Sequence, residues 1–317
     1  MNHHEHPLFR ACPKHCYNPY VKQRHVPITH EEFSVQPNDI DAVVYHYPCP
    51  DGFLSAVIAF SVRPHALFLP VTHSSKLSHI APQIKGRTVL FVDIAPSSPS
   101  DLKQWEMADY LILDHHATNR DTLSAVSPRN AKFDMNSSGC GLAFQYFYPG
   151  QIPPVLLKYI ELYDLWKHHN EPDCAEFLLG FHNIVPDCVM CWDSVLRMKN
   201  PHRLFVPTGH VLMKPRNKSI HFFASHADLR LLNGRRLWVV NVTDRSIINE
   251  IGYEICRKNG DDAALMWYYN HKQHVCICRL RSQSMDVGLL AKELGGGGHT
   301  CSSSFKFQGS NIEKLFD

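Results

Sequence analysis

Asp109-Tyr-Leu-Ile-Leu-Asp-His-His116 runs four largely apolar residues straight into an acid and two adjacent imidazoles. A short, continuous apolar run bounded by polar residues suits a strand buried inside a parallel sheet. Polar residues at the carboxyl end of such a strand stand where open α/β sheets bind ligands. Working outward, "DAVVYHY" (41–47) reads as a strand and "GFLSAVIAFSV" (52–62) as a helix packed on it. "ALFLPV" (66–71) and "RTVLFVDIA" (87–95) read as strands, and "SDLKQWEMA" (100–108) as a helix after a Pro-Ser turn. Strands alternating with helices imply parallel βαβ units and an α/β fold.

Residues 137–148 and 153–169 read as helices, the second opened by prolines, which cost little there. Residues 186–225 are mixed, partly helical, and expected to link two lobes. A second α/β pattern follows: strand 236–242, helix 246–259 capped by Asp244 or Ser246, and strands 262–269 and 274–281 around a hairpin turn at Asn270–Gln273. Helix 287–294, the run "GGGGHT" (295–300) and strand 301–307 complete it. The expected architecture is an N-terminal parallel-sheet metal-binding lobe, a helical linker and a smaller C-terminal α/β lobe. Its bounds are an irregular extension at 1–38, a catalytic domain at 39–185, a linker at 186–225 and a substrate-binding domain at 226–317.

The 317 residues are 44% hydrophobic and 20% charged, a globular composition. A net charge of +2 makes a weak electrostatic case for long nucleic acid and leaves room for a short anionic ligand. No apolar run approaches the roughly 18 residues that span a bilayer, and the N-terminus lacks the apolar core of a signal peptide. A soluble, cytoplasmic chain without a membrane partner is expected. Eleven scattered cysteines do not suggest a disulfide framework. Cys12 and Cys16 flank His15, and Cys188 and Cys191 form a C-x-x-C. A structural zinc needs about four ligands, and these distant pairs are read as ordinary thiols.

Chemistry-bearing residues collect at strand ends. His46 and, past a Pro-Cys-Pro turn, Asp51 follow the first strand; Asp93 follows the third; Asp114, His115 and His116 follow the fourth. Asp164 lies inside the apolar helix "YIELYDLW". One Asp at a strand end is ordinarily a cap or turn former, but three strand ends delivering acids and imidazoles together argue for a metal site. Such donors suit manganese, magnesium, iron or zinc, and cations relieve the repulsion among clustered carboxylates. The residues alone leave the reaction open. In "GGGGHT", one glycine suffices to stop a helix. Four allow backbone amides to approach an anion, with His299 as a further donor beside Gly296, Gly297 and Gly298. Arg281 and Ser282, just before the last helix, are candidate phosphate ligands.

These motifs, in this order, resemble the DHH phosphoesterases. Asp114-His115-His116 is similar to the family signature, "YHYPCPDGFLSA" to its first motif, "FVDIAPS" to its second and "YDLW" to its fourth. "LRSQSMDVGLLAKELGGGGHTCSSSF" resembles the family's C-terminal substrate-binding subdomain. The resemblance implies two divalent cations, foremost Mn2+, with Mg2+, Co2+ or Zn2+ as alternatives. His46 and Asp93 would hold one; Asp51, Asp93, His115 and Asp164 the other. Asp114 would orient the neighbouring His ligand, His116 would contact the scissile phosphate, and the active site would lie between the lobes. The implied activity is hydrolysis of short nucleotides: an oligoribonucleotide, a nucleoside bisphosphate or a dinucleotide. Exopolyphosphatase activity, or nucleotide and RNA binding with impaired catalysis, are the alternatives, and a homodimer is left open. The chain departs from the family pattern at Cys49, where a first acid usually stands. An inert buried thiol is favoured there over a thiolate ligand, which would select a softer metal. Ser302-Ser303-Ser304 replace the family's usual small Ala and Gly.

Overall fold

Val43 and Tyr45 face one side of β1 (Ala42–His46), Ala42 and Val44 the other, and all four are fully buried. A strand with two buried faces needs helices on both sides of its sheet. The computed structural model has that arrangement; it describes residues 32–72, 77–260 and 262–317. Cys12, His15, Cys16 and residues 1–31 of the expected extension lie outside these residues.

Chain contacts divide the protein into two compact units, meeting at Val211 and Leu212. In the first unit, β1 is followed by α1 (Pro50–Val62), β2 (Leu67–Val71), α2 (Ala81–Ile84), β3 (Thr88–Val92), α3 (Pro99–Gln104), β4 (Asp109–Asp114), α4 (Arg120–Ser124) and β5 (Ala131–Phe133). The sheet order is β2-β1-β3-β4-β5, parallel throughout. One face packs on α1, α5 (Gly139–Phe147), α6 (Val155–Asp164), α7 (Cys174–Ile184) and α8 (Val189–Leu196). The other packs on Ile84, Leu102, Trp105 and Leu123 from the shorter helices. Proline at the first turn of α1 and of α3 sits where its missing N–H costs nothing. The Ser98 and Ser138 hydroxyls cap α3 and α5.

The second unit begins within α9 (His202–Ser225) and continues through β6 (Asp228–Leu232), β7 (Arg235–Asn241), α10 (Ile248–Asn259), β8 (Ala263–Asn270), β9 (Val275–Arg281), α11 (Val287–Glu293), β10 (Gly297–Gly298) and β11 (Ser302–Gln308). Its mixed sheet runs β10-β11-β9-β8-β7-β6, with β7 and β8 parallel and the other pairs antiparallel. Ile251 and Ile255 of α10 cover one face and Val287 and Leu290 of α11 the other.

The architecture is the expected α/β pair of lobes, with differences in detail. Phe33 and Val35, from the expected extension, are buried in the core of the first unit. The α6 helix ends at Asp164 rather than 169, because Trp166 takes a left-handed conformation at φ 60°. Of the expected linker, residues 186–211 belong to the first unit, where Trp192 is fully buried 4.8 Å from the Phe53 ring.

Candidate metal centre

The strand order reverses direction at β1: the chain leaves it toward β2 and returns on its other side as β3. That switch point, at the carboxyl ends of the strands, is where α/β sheets leave a crevice. His46 ends β1, Asp93 directly follows β3, and Asp114 ends β4 with His115 and His116 next. Asp93 sits at φ 58°, a conformation that aspartate tolerates better than most residues. Its backbone amide still donates to the Leu113 carbonyl at 3.0 Å, so the strand register holds up to the turn.

Around Asp93 the donor atoms converge. His115 Nε2 lies 3.1 Å from Asp93 Oδ1, 3.5 Å from Asp164 Oδ2 and 3.7 Å from Asp51 Oδ2. His46 Nδ1 is 3.4 Å from Asp93 Oδ2, and His116 Nδ1 is 3.8 Å from Asp93 Oδ1. Three overlapping groups have donor atoms within 4.8 Å of one another: His46, Cys49 and Asp93; Asp93, His115 and His116; and Asp51, His115 and Asp164. All five residues expected to hold metal are therefore in one cluster.

The surroundings hold these groups in place. Asp51, on the first turn of α1, accepts hydrogen bonds from Gly139 N at 2.7 Å and Cys140 N at 2.9 Å, the first amides of α5. Helix N-terminal amides carry no intrahelical partner and favour an anion. Glu161 of α6 accepts from Ser138 N at 3.1 Å, tying α6 to that same helix start. Two glycines make the approach possible. A Cβ on Gly139 would meet Asp93 Cβ at 2.5 Å, and one on Gly52 would meet the His46 carbonyl at 2.2 Å.

Asp114 is completely buried and makes a different bond from the one expected. Its Oδ1 accepts from His116 Nδ1 at 2.7 Å and from the backbone amide of His115 at 2.9 Å, while Oδ2 accepts from Asn119 at 2.6 Å. It thus orients the ring of His116, and its bond to His115 is to the main chain.

The electrostatics are those of acids crowded away from water. Burial, and then the neighbouring Asp93, raise the Asp51 carboxyl to about 6. Burial and the charges of Asp51 and Asp93 raise Asp164 to about 8. Burial also disfavours the Asp93 anion, but the hydrogen bond from His115 and the nearby His46 and His116 rings outweigh it and hold this carboxyl below its ordinary value. Burial opposes charge on His115, yet Asp93, Asp164 and Asp51 together raise it to about 10. Protons and an imidazolium therefore balance the acids in the chain by itself. The buried oxygens Asp93 Oδ2 and Asp164 Oδ2 accept no hydrogen bond among the described residues, an expensive state for a carboxylate. Clustered carboxylate and imidazole donors with such oxygens fit divalent cations.

The candidates in the second unit are positioned differently. Arg281, at the end of β9, is buried; its Nη1 donates to the Leu280 carbonyl at 2.6 Å and its Nη2 to Asn249 Oδ1. The Ser282 hydroxyl accepts from the amides of Ser284 and Met285 and so shapes the turn into α11. Gly297 and Gly298 pair with Ser304 and Ser303 across β10 and β11, and His299 N donates to the Ser302 carbonyl at 2.7 Å. A Cβ on Gly296 would fall 2.1 Å from the Ser304 carbonyl. The glycine run thus has a packing reason, the close approach of β11. The sequence reading missed Gly52, Gly139, Asn119 and Glu161. Only Glu161 carried a signal, three residues before Asp164 on one side of an apolar helix.

No family profile matches the chain. It is 24% identical over 307 residues to an uncharacterized protein of Acanthamoeba polyphaga mimivirus, across 86% of this chain and 68% of that one. Its fold is similar to RecJ from Thermus thermophilus, solved in complex with Mn2+: TM-score 0.51, 14% identity, 87% of this chain and 50% of that one. The chain thus spans about half the length of that RecJ. A pGpG-specific phosphodiesterase from Vibrio cholerae aligns with a TM-score of 0.45 and 12% identity, over 86% of this chain and 96% of that one.

Proposed function

We propose that the chain is a DHH-type phosphoesterase that uses divalent cations to hydrolyse phosphoester bonds of short nucleotides. The observation that carries this reading is the convergence of three strand ends on Asp93, with buried carboxylate oxygens that accept no hydrogen bond among the described residues. The fold shared with RecJ and the order of the motifs support it.

Asp51, Asp93, Asp164, His46 and His115 would hold the ions. Bound divalent cations supply an activated water and neutralise charge on the phosphoryl group. The chain's own part is positioning. Gly139 N and Cys140 N keep Asp51 aimed at His115. Asp114, held ionised by its bond from His116 despite burial, fixes the proton of His116 on Nδ1 and the ring with it. His116 is then assigned to the scissile phosphate, and the apolar core beneath Asp93 keeps bulk water from the acids. The second unit is assigned to nucleotide recognition, with His299 as the donor on the glycine hairpin and Arg281 as a charge opposite Ser302 in the same sheet. A net charge of +2 favours a short substrate over a long duplex.

The test is a hydrolysis screen with Mn2+ over a labelled dinucleotide, a short RNA, a nucleoside bisphosphate, a cyclic dinucleotide and polyphosphate. The proposal expects metal-dependent cleavage of one or more of the nucleotides. Cleavage of polyphosphate alone would replace the substrate class, and no turnover of any of them would sink the enzymatic reading.

A further inference from the structure

Cys49 ends the Tyr47-Pro48-Cys49 turn and stands as the residue before α1, its carbonyl accepting from Phe53 N at 2.9 Å. That turn brings its sulfur to His46, three residues back, and to Asp93 just past the neighbouring strand β3. The three donor atoms lie within 4.8 Å of one another. Small side-chain rotations reduce such a separation to the span of one cation's ligand shell, where bonds are about 2.0–2.3 Å long. Asp93 is 1% exposed, and its Oδ2, on the His46 side, accepts no hydrogen bond among the described residues. The second group, Asp51, His115 and Asp164, offers only oxygen and nitrogen.

Resting on the metal-centre reading above, we propose that Cys49 is a ligand and that the two cation positions are chemically unequal. His46, Cys49 and Asp93 take a borderline cation, zinc or cobalt, through a thiolate. Asp51, His115 and Asp164, with Asp93 shared, take a harder ion such as manganese. Soft thiolate favours zinc over manganese far more strongly than carboxylate does. On binding, the Cys49 S–H bond breaks, a sulfur–metal bond forms, the proton passes to solvent, and sulfur keeps its oxidation state. The cysteine therefore changes which ion the site selects instead of deleting a ligand.

The experiment titrates the metal-stripped full chain with Co2+ and records absorption. Thiolate ligation gives an intense near-ultraviolet charge-transfer band beside the weaker visible bands of the ion. The wild type is expected to show both. Cys49→Ser and Cys49→Asp are expected to keep the visible bands and lose the near-ultraviolet band. Chains with Cys12 and Cys16, or Cys188 and Cys191, changed to serine are expected to keep it. Cys49→Asp should also lower the preference for Zn2+ over Mn2+ at least about ten-fold. A band unchanged in both Cys49 variants, or visible bands without it in the wild type, overturns the thiolate ligand while leaving the metal centre standing. Absence of any cobalt binding overturns the metal-centre reading itself.

Discussion

Gly52→Ala is a one-methyl change aimed at the geometry of the cluster. The new Cβ would lie 2.2 Å from the carbonyl oxygen of His46 and 2.9 Å from Asp93 Oδ2. The first distance is more than about 1 Å inside ordinary van der Waals contact. The obstacle is main chain at the end of β1, so no side-chain rotation relieves it. The start of α1 has to move away from the strand, and Asp51, the preceding residue, moves with it. A misplacement of about 1 Å in a catalytic constellation costs roughly 100-fold in rate, and overpacking about 1–3 kcal/mol in stability. Gly150→Ala is the control: its φ of 75° makes alanine strained there, but the new methyl meets nothing within 4 Å. Both variants are measured for Mn2+-dependent kcat/KM on bis-p-nitrophenyl phosphate and for thermal unfolding. Both should lose some stability, and only Gly52→Ala should lose most of its activity. Equal kcat/KM in the two variants would refute the claim that this close approach sets the site.

Three further outcomes are expected. Asp51, Asp164, His115 and His116 are all raised in the folded chain, so folding takes up protons and their contribution to stability fades as pH rises through those values. The metal-stripped protein should therefore unfold at lower temperature as pH rises from about 5 to 9, a trend that added Mn2+ should flatten by replacing the protons; a stability that rises over this range without metal would contradict it. Asp114→Asn, which leaves the His116 ring a neutral partner, should cut activity about 10–100-fold while cation content stays at the wild-type level; metal analysis beside kinetics separates the two. Gly298→Ala, at φ 141° and with its Cβ 2.6 Å from the Ser302 carbonyl, should destabilise the second unit by about 1–3 kcal/mol, read by denaturant unfolding, without changing cation content.

The strands of both sheets were legible where apolar runs ended in turn residues, as in Ala42–His46 and Thr88–Val92. The β6 strand was missed although Asn233-Gly234, both at positive φ, is the two-residue hairpin signal; its largely exposed residues supplied no apolar run. The 24-residue α9 was read as mixed because Pro207 and Pro215 interrupt it. Site acids were legible because strand ends point to one edge of a parallel sheet. The residues that fix them were not. Gly139 acts through its approach to Asp51 and Asp93, far away in the chain, Asn119 through the direction of its side chain toward Asp114 five residues back, and the pairing of Asp114 with His116 rather than His115 depends on which way two adjacent rings turn. Cys49 looked inert in the sequence because nothing there places it beside Asp93.

Asp93 joins every part of the account, so cation content in its absence is the most direct test. Metal-stripped wild type and Asp93→Ala are equilibrated with Mn2+ and Zn2+ together, freed of unbound ion and analysed for metal. The wild type is expected to retain about two cations per chain and the variant at most a small fraction of that. A wild type that retains none, or a variant that retains as much as the wild type, would contradict a metal centre built on Asp93.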